Sequence, residues 1–297
     1  MKRLISANYK DVKDFDRFDL LQSIKASEGR VILSENIVEA MPLLLDTTNS
    51  ELAKANGADM ILLNLYDLNK NFIFGLPKTD NPIALLKKLV GVPVGINLEP
   101  VDYEENLIED RLDINDGRKA TINNFKKANM LGVDYICLTG NPQVGVTNKS
   151  ILASIKEARK HFNGVIIAGK MHASGSTESI LDLNVIKEYI LAGADIILLP
   201  SLNTVPGISE EELKTAVKLI HDNNCLALGA IGTSQEGSDV NTIREIALSN
   251  KRIGFDISHI GDCGYFGVAL PENIMAMSIA VKGRRHTYFR MANSINR

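Results

Sequence analysis

The chain has 297 residues, enough for one large domain or two small ones, with 45% apolar residues, 23% charged residues and no tryptophan. Its net charge of −3 gives no electrostatic reason to expect nucleic acid or an anionic membrane as a partner. The opening "MKRLISANYKDVKDF" lacks the apolar core of a signal peptide, and no apolar run reaches the ~20 residues of a spanning helix, so a cytoplasmic protein is expected.

The first predicted element is a helix over "FDLLQSIKASEG" (18–29), with Asp19 as N-cap and Gly29 as its stop. Eight short apolar runs follow: "RVILSE" (30–35), "DMILLNLY" (59–66), "VPVGINLE" (92–99), "DYICLTGN" (134–141), "GVIIAGKMH" (164–172), "DIILLPS" (195–201), "LALGAIGTS" (226–234) and "FDISHIGD" (255–262). Stretches of helical period, such as "SILASIKEARKHF" and "SEEELKTAVKLIHDN", separate them. Strands alternating with helices make a parallel sheet, and eight such units in about 250 residues predict a (β/α)8 barrel, with a doubly wound open sheet as the runner-up. The expected organisation is one barrel domain over 1–297, with 1–29 as an N-terminal helical extension and 283–297 as a basic tail. That tail, with Lys282, Arg284, Arg285, His286, Arg290 and Arg297 in or beside it, reads as a solvated helix face or a subunit contact, and a homo-oligomer is left open.

A repeat supports the barrel. "GAD" at 57–59, "GVD" at 132–134, "GAD" at 193–195 and "GFD" at 254–256 precede the second, fourth, sixth and eighth strands. Glycine ends each helix and aspartate opens each strand, at the face of a barrel that serves stability. Asp59, Asp134, Asp195 and Asp256 are therefore expected to be structural. Cys137, Cys225 and Cys263 are widely spaced with no C-x-x-C, which suits reduced thiols; the first two read as small core residues.

Chemistry belongs at the opposite, C-terminal strand ends. Alternation places Asn64 and Tyr66 of the second strand, Asn97 and Glu99 of the third, and Tyr135, Cys137, Thr139 and Asn141 of the fourth toward the barrel interior. In the fifth strand Lys170 and His172, at the end of an apolar run, are expected to face inward at the top of the barrel. Lys170, His172 and Glu99 are the catalytic candidates, with Asn64 and Asn141 contacting substrate. Two glycine-rich loops, "GTSQEGSD" (232–239) and "GDCGYFG" (261–267), follow the seventh and eighth strands, where many barrels hold a phosphate. Gly232, Thr233, Ser234, Gly261, Asp262 and Gly264 are the expected phosphate cup. Glu35, Asp67 and Glu99 fall at successive strand ends and are candidate ligands for Mg²⁺ or Mn²⁺. The acidic stretch 101–117 reads as a lid or a solvated loop.

"TGNPQVGVTN", "IIAGKMH", "AIGTSQEG", "HIGDCGYFG" and "ALPENIMAMSIAVKGRRHTYFRM" together resemble a bacterial family of barrel proteins often labelled phosphoenolpyruvate phosphonomutase-like. The resemblance covers essentially the whole chain. More remotely, "NSELAKANGADMILLN" is similar to the phosphonomutase and isocitrate lyase superfamily. That superfamily holds Mg²⁺ on paired aspartates after the third strand. This chain has "NLEPVD" there, with Glu99 and the displaced Asp102, and no counterpart of the superfamily's cysteine-bearing catalytic loop. The resulting expectation is a lyase or isomerase acting on a small phosphorylated, sugar-derived metabolite. The alternatives are a Mg²⁺-dependent phosphonomutase-like enzyme and a non-catalytic phosphosugar-binding regulator.

Overall fold

A computed structural model describes residues 1–262 and 266–297. Strands β1 (Val31–Ile37), β2 (Met60–Asn64), β3 (Val94–Leu98), β4 (Tyr135–Leu138), β5 (Val165–Gly169), β6 (Ile196–Pro200), β7 (Leu226–Ile231) and β8 (Ile257–Ile260) form a closed parallel barrel in chain order. The pairing of β8 back onto β1, with Ser258 opposite Ile32, excludes the open sheet. Helices α1 (Tyr9–Val12) and α2 (Arg17–Lys25) precede the barrel. One helix follows each strand: α3 (Asn49–Ala55), α4 (Pro82–Val90), α5 (Ile122–Leu131), α6 (Asn148–His161), α7 (Leu183–Ala192), α8 (Glu210–Asp222), α9 (Val240–Ile253) and α10 (Pro271–Ala292). No helix among the described residues is long and apolar enough to cross a membrane.

Most helix starts are written locally. Thr48, Asn81, Thr121, Thr147, Asp182, Ser209 and Asp239 each accept a backbone N–H from the first turn of the helix that follows. The helix expected over 18–29 forms as α2, but it starts at Arg17 and stops at Lys25. Asp16 is its N-cap, and Asp19 answers from the third helical position as the other half of a capping box.

The glycine–aspartate repeat has a single geometric meaning. Gly57, Gly132, Gly193 and Gly254 all have positive φ, which lets the preceding helix end in a left-handed residue. Each aspartate then clamps the foot of the strand before it. Asp59 accepts the N–H of Ile32, Asp134 that of Val94, Asp195 that of Ile166 and Asp256 that of Ala227, at 2.8–3.0 Å. The same four residues donate their own backbone N–H to the carbonyls of those partners. A basic side chain completes every clamp: Lys282 and Arg290 on Asp59, Lys87 on Asp134, Arg17 and Arg159 on Asp195, and His221 on Asp256.

The Asp59 clamp corrects the expectation for the basic tail. Helix α10 runs through a break at Gly283 to Ala292 and carries Lys282, His286 and Arg290 to buried positions. Arg290 also donates to the carbonyls of Leu4 (2.8 Å) and Ala7 (3.4 Å), tying the chain's last helix to its first residues. Leu4, Ile5, Ala7, Leu20 and Ile24 share one apolar cluster with the interior residues Leu33, Met60, Cys137, Ile167, Leu198 and Leu228, so the N-terminal segment closes the barrel floor. Within the barrel, Gly95 makes room for Tyr135: a Cβ at Gly95 would lie 2.2 Å from the ring. Burial pushes the Cys137 thiol well above its usual range, in keeping with a core residue.

Candidate active site

Parallel register decides which side chains face inward. Leu33 lies opposite His259 and Met60, and Cys137 opposite Asn97 and Ile167. These pairs carry Glu35, Asn64, Asn97, Thr139, Met171 and His259 up the inner wall in successive layers, while Ile32, Ile61, Ile96, Ile136, Ile166 and Ile197 face the helices. At the C-terminal mouth they enclose a cavity of about 240 Å³. Its lining comprises Glu35, Asn64 and Asn97 from β1 to β3; Thr139, Gly140, Asn141 and Pro142 after β4; Met171 and His172 after β5; Gly232, Ser234 and Glu236 after β7; and Gly261 and Asp262 after β8.

Amides knit this wall together. Asn64 and Asn141 exchange side-chain hydrogen bonds at 3.0 and 3.1 Å, and Asn64 Nδ2 also donates to Asp262 Oδ2 at 2.9 Å. Asn97 Nδ2 donates to Glu35 Oε1 (2.5 Å) and to Asn64 Oδ1 (3.2 Å). The other Glu35 oxygen lies 2.9 Å from His259 Nε2, a pair buried at the cavity floor. Asn97 Oδ1, Thr139 Oγ1 and His259 Nδ1 are buried with no hydrogen-bond partner among the described residues.

The electrostatics are one-sided. Desolvation, followed by repulsion from Glu35, pushes the Asp262 carboxyl up to about 7. Burial lowers the His172 pKa, and the Glu35 carboxylate only partly offsets this. Its Nδ1 accepts the backbone N–H of Ser174 at 3.0 Å, so the neutral ring carries its proton on Nε2. Among the described residues, no lysine or arginine lines the cavity.

Several expected site residues lie elsewhere. Lys170 points out of the barrel, into the wall between β5 and α7 beside Val185 and Tyr189. There its ammonium donates to Glu178 (2.6 Å) and Ser176 (3.2 Å), with the side chain 1% exposed. The reason is parity: Val165, Ile167, Gly169 and Met171 take the inner face, which leaves Lys170 with Ile166 and Ala168 on the outer one. His172 still reaches the cavity because β5 ends at Gly169 and the chain bends at residues 171–172. Gly169 is required there, since its φ is +152° and a Cβ would sit 2.0 Å from the Leu198 carbonyl oxygen.

Glu99 is also absent from the lining. It forms a 2.5 Å ion pair with Arg118 and accepts the backbone N–H of Asn141 at 2.9 Å, so it positions the loop after β4. Tyr66 packs in the outer core, where its hydroxyl meets Asn71. Asp67 caps a turn by accepting the N–H groups of Asn69 and Lys70. Glu35, Asp67 and Glu99 thus end in three separate environments and do not fit one Mg²⁺ or Mn²⁺ ion. No cluster of three or more His, Cys, Asp or Glu suited to a metal occurs among the described residues.

The expected phosphate cup comes together only in part. Gly232, Ser234, Gly261 and Asp262 do share the cavity, but Gly264 lies outside the described residues, as does Cys263. Gly232 and Gly261 are close-packing positions: a Cβ would lie 2.0 Å from Met171 Sδ and 2.7 Å from the Ile231 carbonyl, respectively. Thr233 Oγ1 is 2.6 Å from both the Thr204 carbonyl and Gln235 Oε1, which commits its single proton. Asp262 and Glu236 line the same space, and their carboxylates oppose a dianion. The stretch 101–117 neither covers the mouth nor floats free. Asp102, Arg111 and Leu112 bond to Gly145, Val144 and Gln143 of the loop after β4, and none of its residues lines the cavity.

Sequence reasoning overlooked His259 and Glu236 and gave Asn97 no role. Alternation back from Gly261 would have placed His259 on the inner face. Glu236 follows a turn with positive φ at Ser234, which no periodicity reports.

Comparison with solved structures finds an archaeal fructose 1,6-bisphosphate aldolase at a TM-score of 0.51 and 14% identity, covering 87% of this chain and 96% of that one. A protein provisionally described as a lyase/mutase from Burkholderia cenocepacia J2315 has a TM-score of 0.49 and 15% identity, covering 99% and 91%. A 2,3-dimethylmalate lyase of the PEP mutase/isocitrate lyase superfamily has a TM-score of 0.49 and 14% identity, covering 82% and 79%. At 14% identity, the likeness to the aldolase is one of fold. No curated protein matches the chain. A family profile described as a domain of unknown function (DUF7916) matches residues 5–297, and the chain belongs to that family.

Proposed function

We propose that the protein is a lyase or isomerase that moves a proton within a small, polyhydroxylated, sugar-derived metabolite held at the barrel mouth. The observation that carries this reading is Asp262, a carboxyl pushed up to about 7 and hydrogen-bonded to Asn64 in an amide-lined cavity. A group that titrates near neutral pH can both take and return a proton, the requirement for general acid–base catalysis. His172 supports the role, since a neutral imidazole with its proton on Nε2 can donate to a carbonyl oxygen as negative charge develops there. Asn97 Oδ1 and the second Nδ2 proton of Asn141 remain for hydroxyls, while Asn64 holds the two amides and Asp262 in place. The Glu35–His259 pair supplies a carboxylate–imidazole couple at the floor.

A cavity of about 240 Å³ suits a small metabolite. Because carboxylates and no Lys or Arg line it among the described residues, the substrate we propose carries no phosphate into it. The reading also uses no metal, because the three carboxylates expected as ligands do not converge.

The test is deuterium wash-in. The protein is incubated in D₂O with aldoses and ketoses from tetroses to hexoses, and the carbon-bound protons next to the carbonyl are followed by NMR. At least one sugar is expected to exchange or turn over, and Asp262→Asn is expected to abolish it. Turnover restricted to phosphorylated sugars, or exchange that survives Asp262→Asn, would overturn the assignment.

A further inference from the structure

We infer that the molecule received at this mouth carries a primary ammonium group, as an amino sugar or amino polyol does. The inference rests on the reading of the cavity as a polyol site and adds the chemical group that the site selects. Its first observation is the imbalance of the lining. Glu35 and Asp262 face a space whose described lining contains no lysine or arginine. Carboxylates shut away from water by a bound ligand are costly unless that ligand brings a compensating charge or donors.

The second observation is Asn97. Its Nδ2 donates to Glu35 and to Asn64 Oδ1, which fixes which end of the amide is which. The atom left over is therefore the acceptor Oδ1, buried and without a partner. Asn64 joins this atom's residue to Asp262, accepting from Asn97 at 3.2 Å and donating to Asp262 at 2.9 Å. An ammonium group offers three donors and no acceptor, so it can meet an amide oxygen and a carboxylate together. A hydroxyl has a single proton and can satisfy only one of them. A divalent ion is a poorer fit, because both Glu35 oxygens already have partners and no cluster of three or more metal-ligating side chains exists among the described residues.

Proton balance follows from the same groups. When the ammonium arrives while Asp262 is protonated, the carboxyl loses its proton to solvent and the ammonium takes its place. The preference for the amine therefore grows as pH rises through the range where Asp262 ionises, near 7.

Isothermal titration of the full chain with two matched probes tests this: 1-amino-1-deoxy-sorbitol and sorbitol, each at pH 6 and pH 8, with MgCl₂ alone as a third arm. The expected result is about tenfold tighter binding of the amine at pH 8, the size of one charge-assisted contact, and a smaller difference at pH 6. Asp262→Asn should erase the pH dependence, and its fold can be checked by circular dichroism. Equal binding of the two probes would overturn the ammonium and leave the polyol reading intact. Binding of MgCl₂ that displaces the amine would replace it with a metal. Failure of both organic probes would overturn the ammonium together with the polyol reading.

Discussion

Replacing Asp262 by asparagine should make the protein more stable and less active, with a pH signature that identifies the cause. Asparagine keeps the size of the side chain and an oxygen able to accept from Asn64 Nδ2, now 2.9 Å away. It removes a carboxylate that burial and Glu35 hold at about 7, against an ordinary 3.8. Between those two values the folded chain keeps a proton that the unfolded chain has released, so folded-state stability falls as pH rises and the full cost is reached above about 7. At about 1.4 kcal/mol per unit, the cost is on the order of 4 kcal/mol at pH 8 and less than half of that at pH 5. Because the repulsion is shared with Glu35, the gain on neutralising one partner is bounded by that figure, and about 2 kcal/mol is expected at pH 8. Urea unfolding at the two pH values, with slopes compared to confirm an unchanged unfolding transition, measures it. In parallel, turnover should fall about 100-fold or more, as for loss of a general acid–base group. An equal shift in stability at pH 5 and pH 8, or a loss of stability at pH 8, would refute the electrostatic account of this carboxyl.

Two further outcomes follow. Lys170→Met should cost about 2 kcal/mol by leaving Glu178 without its cation, although Glu178 keeps the N–H of Asn148, with part of it recovered in the double variant that also carries Glu178→Leu, while borohydride with a turned-over carbonyl substrate should leave no adduct on Lys170; an adduct would show that the lysine reaches the cavity. Asp195→Asn should lose about 2 kcal/mol through its bonds to Arg17 and Arg159 and leave turnover nearly unchanged, whereas a ~100-fold fall in turnover with the fold intact would place the chemistry at the wrong end of the barrel.

Strand number and order were legible because parallel strands buried on both sides read as apolar runs, and glycine with aspartate marks where half of them begin. Those same two-sided runs hide which face is which. In β5, Val165, Ile167 and Gly169 are as apolar as Ile166 and Ala168, so alternation alone cannot orient Lys170; the register of Ile167 against Cys137 does. In β3 the interior face carries Gly95 and Asn97 against Val94, Ile96 and Leu98, and there the polar residue was placed correctly. Glu99 escaped for a different reason. Its partner Arg118 ends a short 3₁₀ turn in the long connection after the strand, and only the fold brings the two together. The expected phosphate cup was legible only in part, because composition does not predict contacts. Glycines such as Gly232 give space to whatever lies beside them, and here that neighbour is Met171.

The two ends of the barrel treat their carboxylates in opposite ways. At the floor, Asp59, Asp134, Asp195 and Asp256 each hold a strand's N–H and each face a basic side chain, so their charge is spent on structure. At the mouth, Glu35 and Asp262 meet amides and imidazoles instead, and part of their charge remains uncompensated. A net charge of −3 over the chain conceals this arrangement, because the compensation is distributed along the barrel axis rather than across the sequence. On the ammonium reading proposed above, a cationic ligand would answer that imbalance. The floor can bear the cost of folding because none of its clamps touches the cavity, and the mouth can stay electrostatically unsatisfied until a ligand arrives.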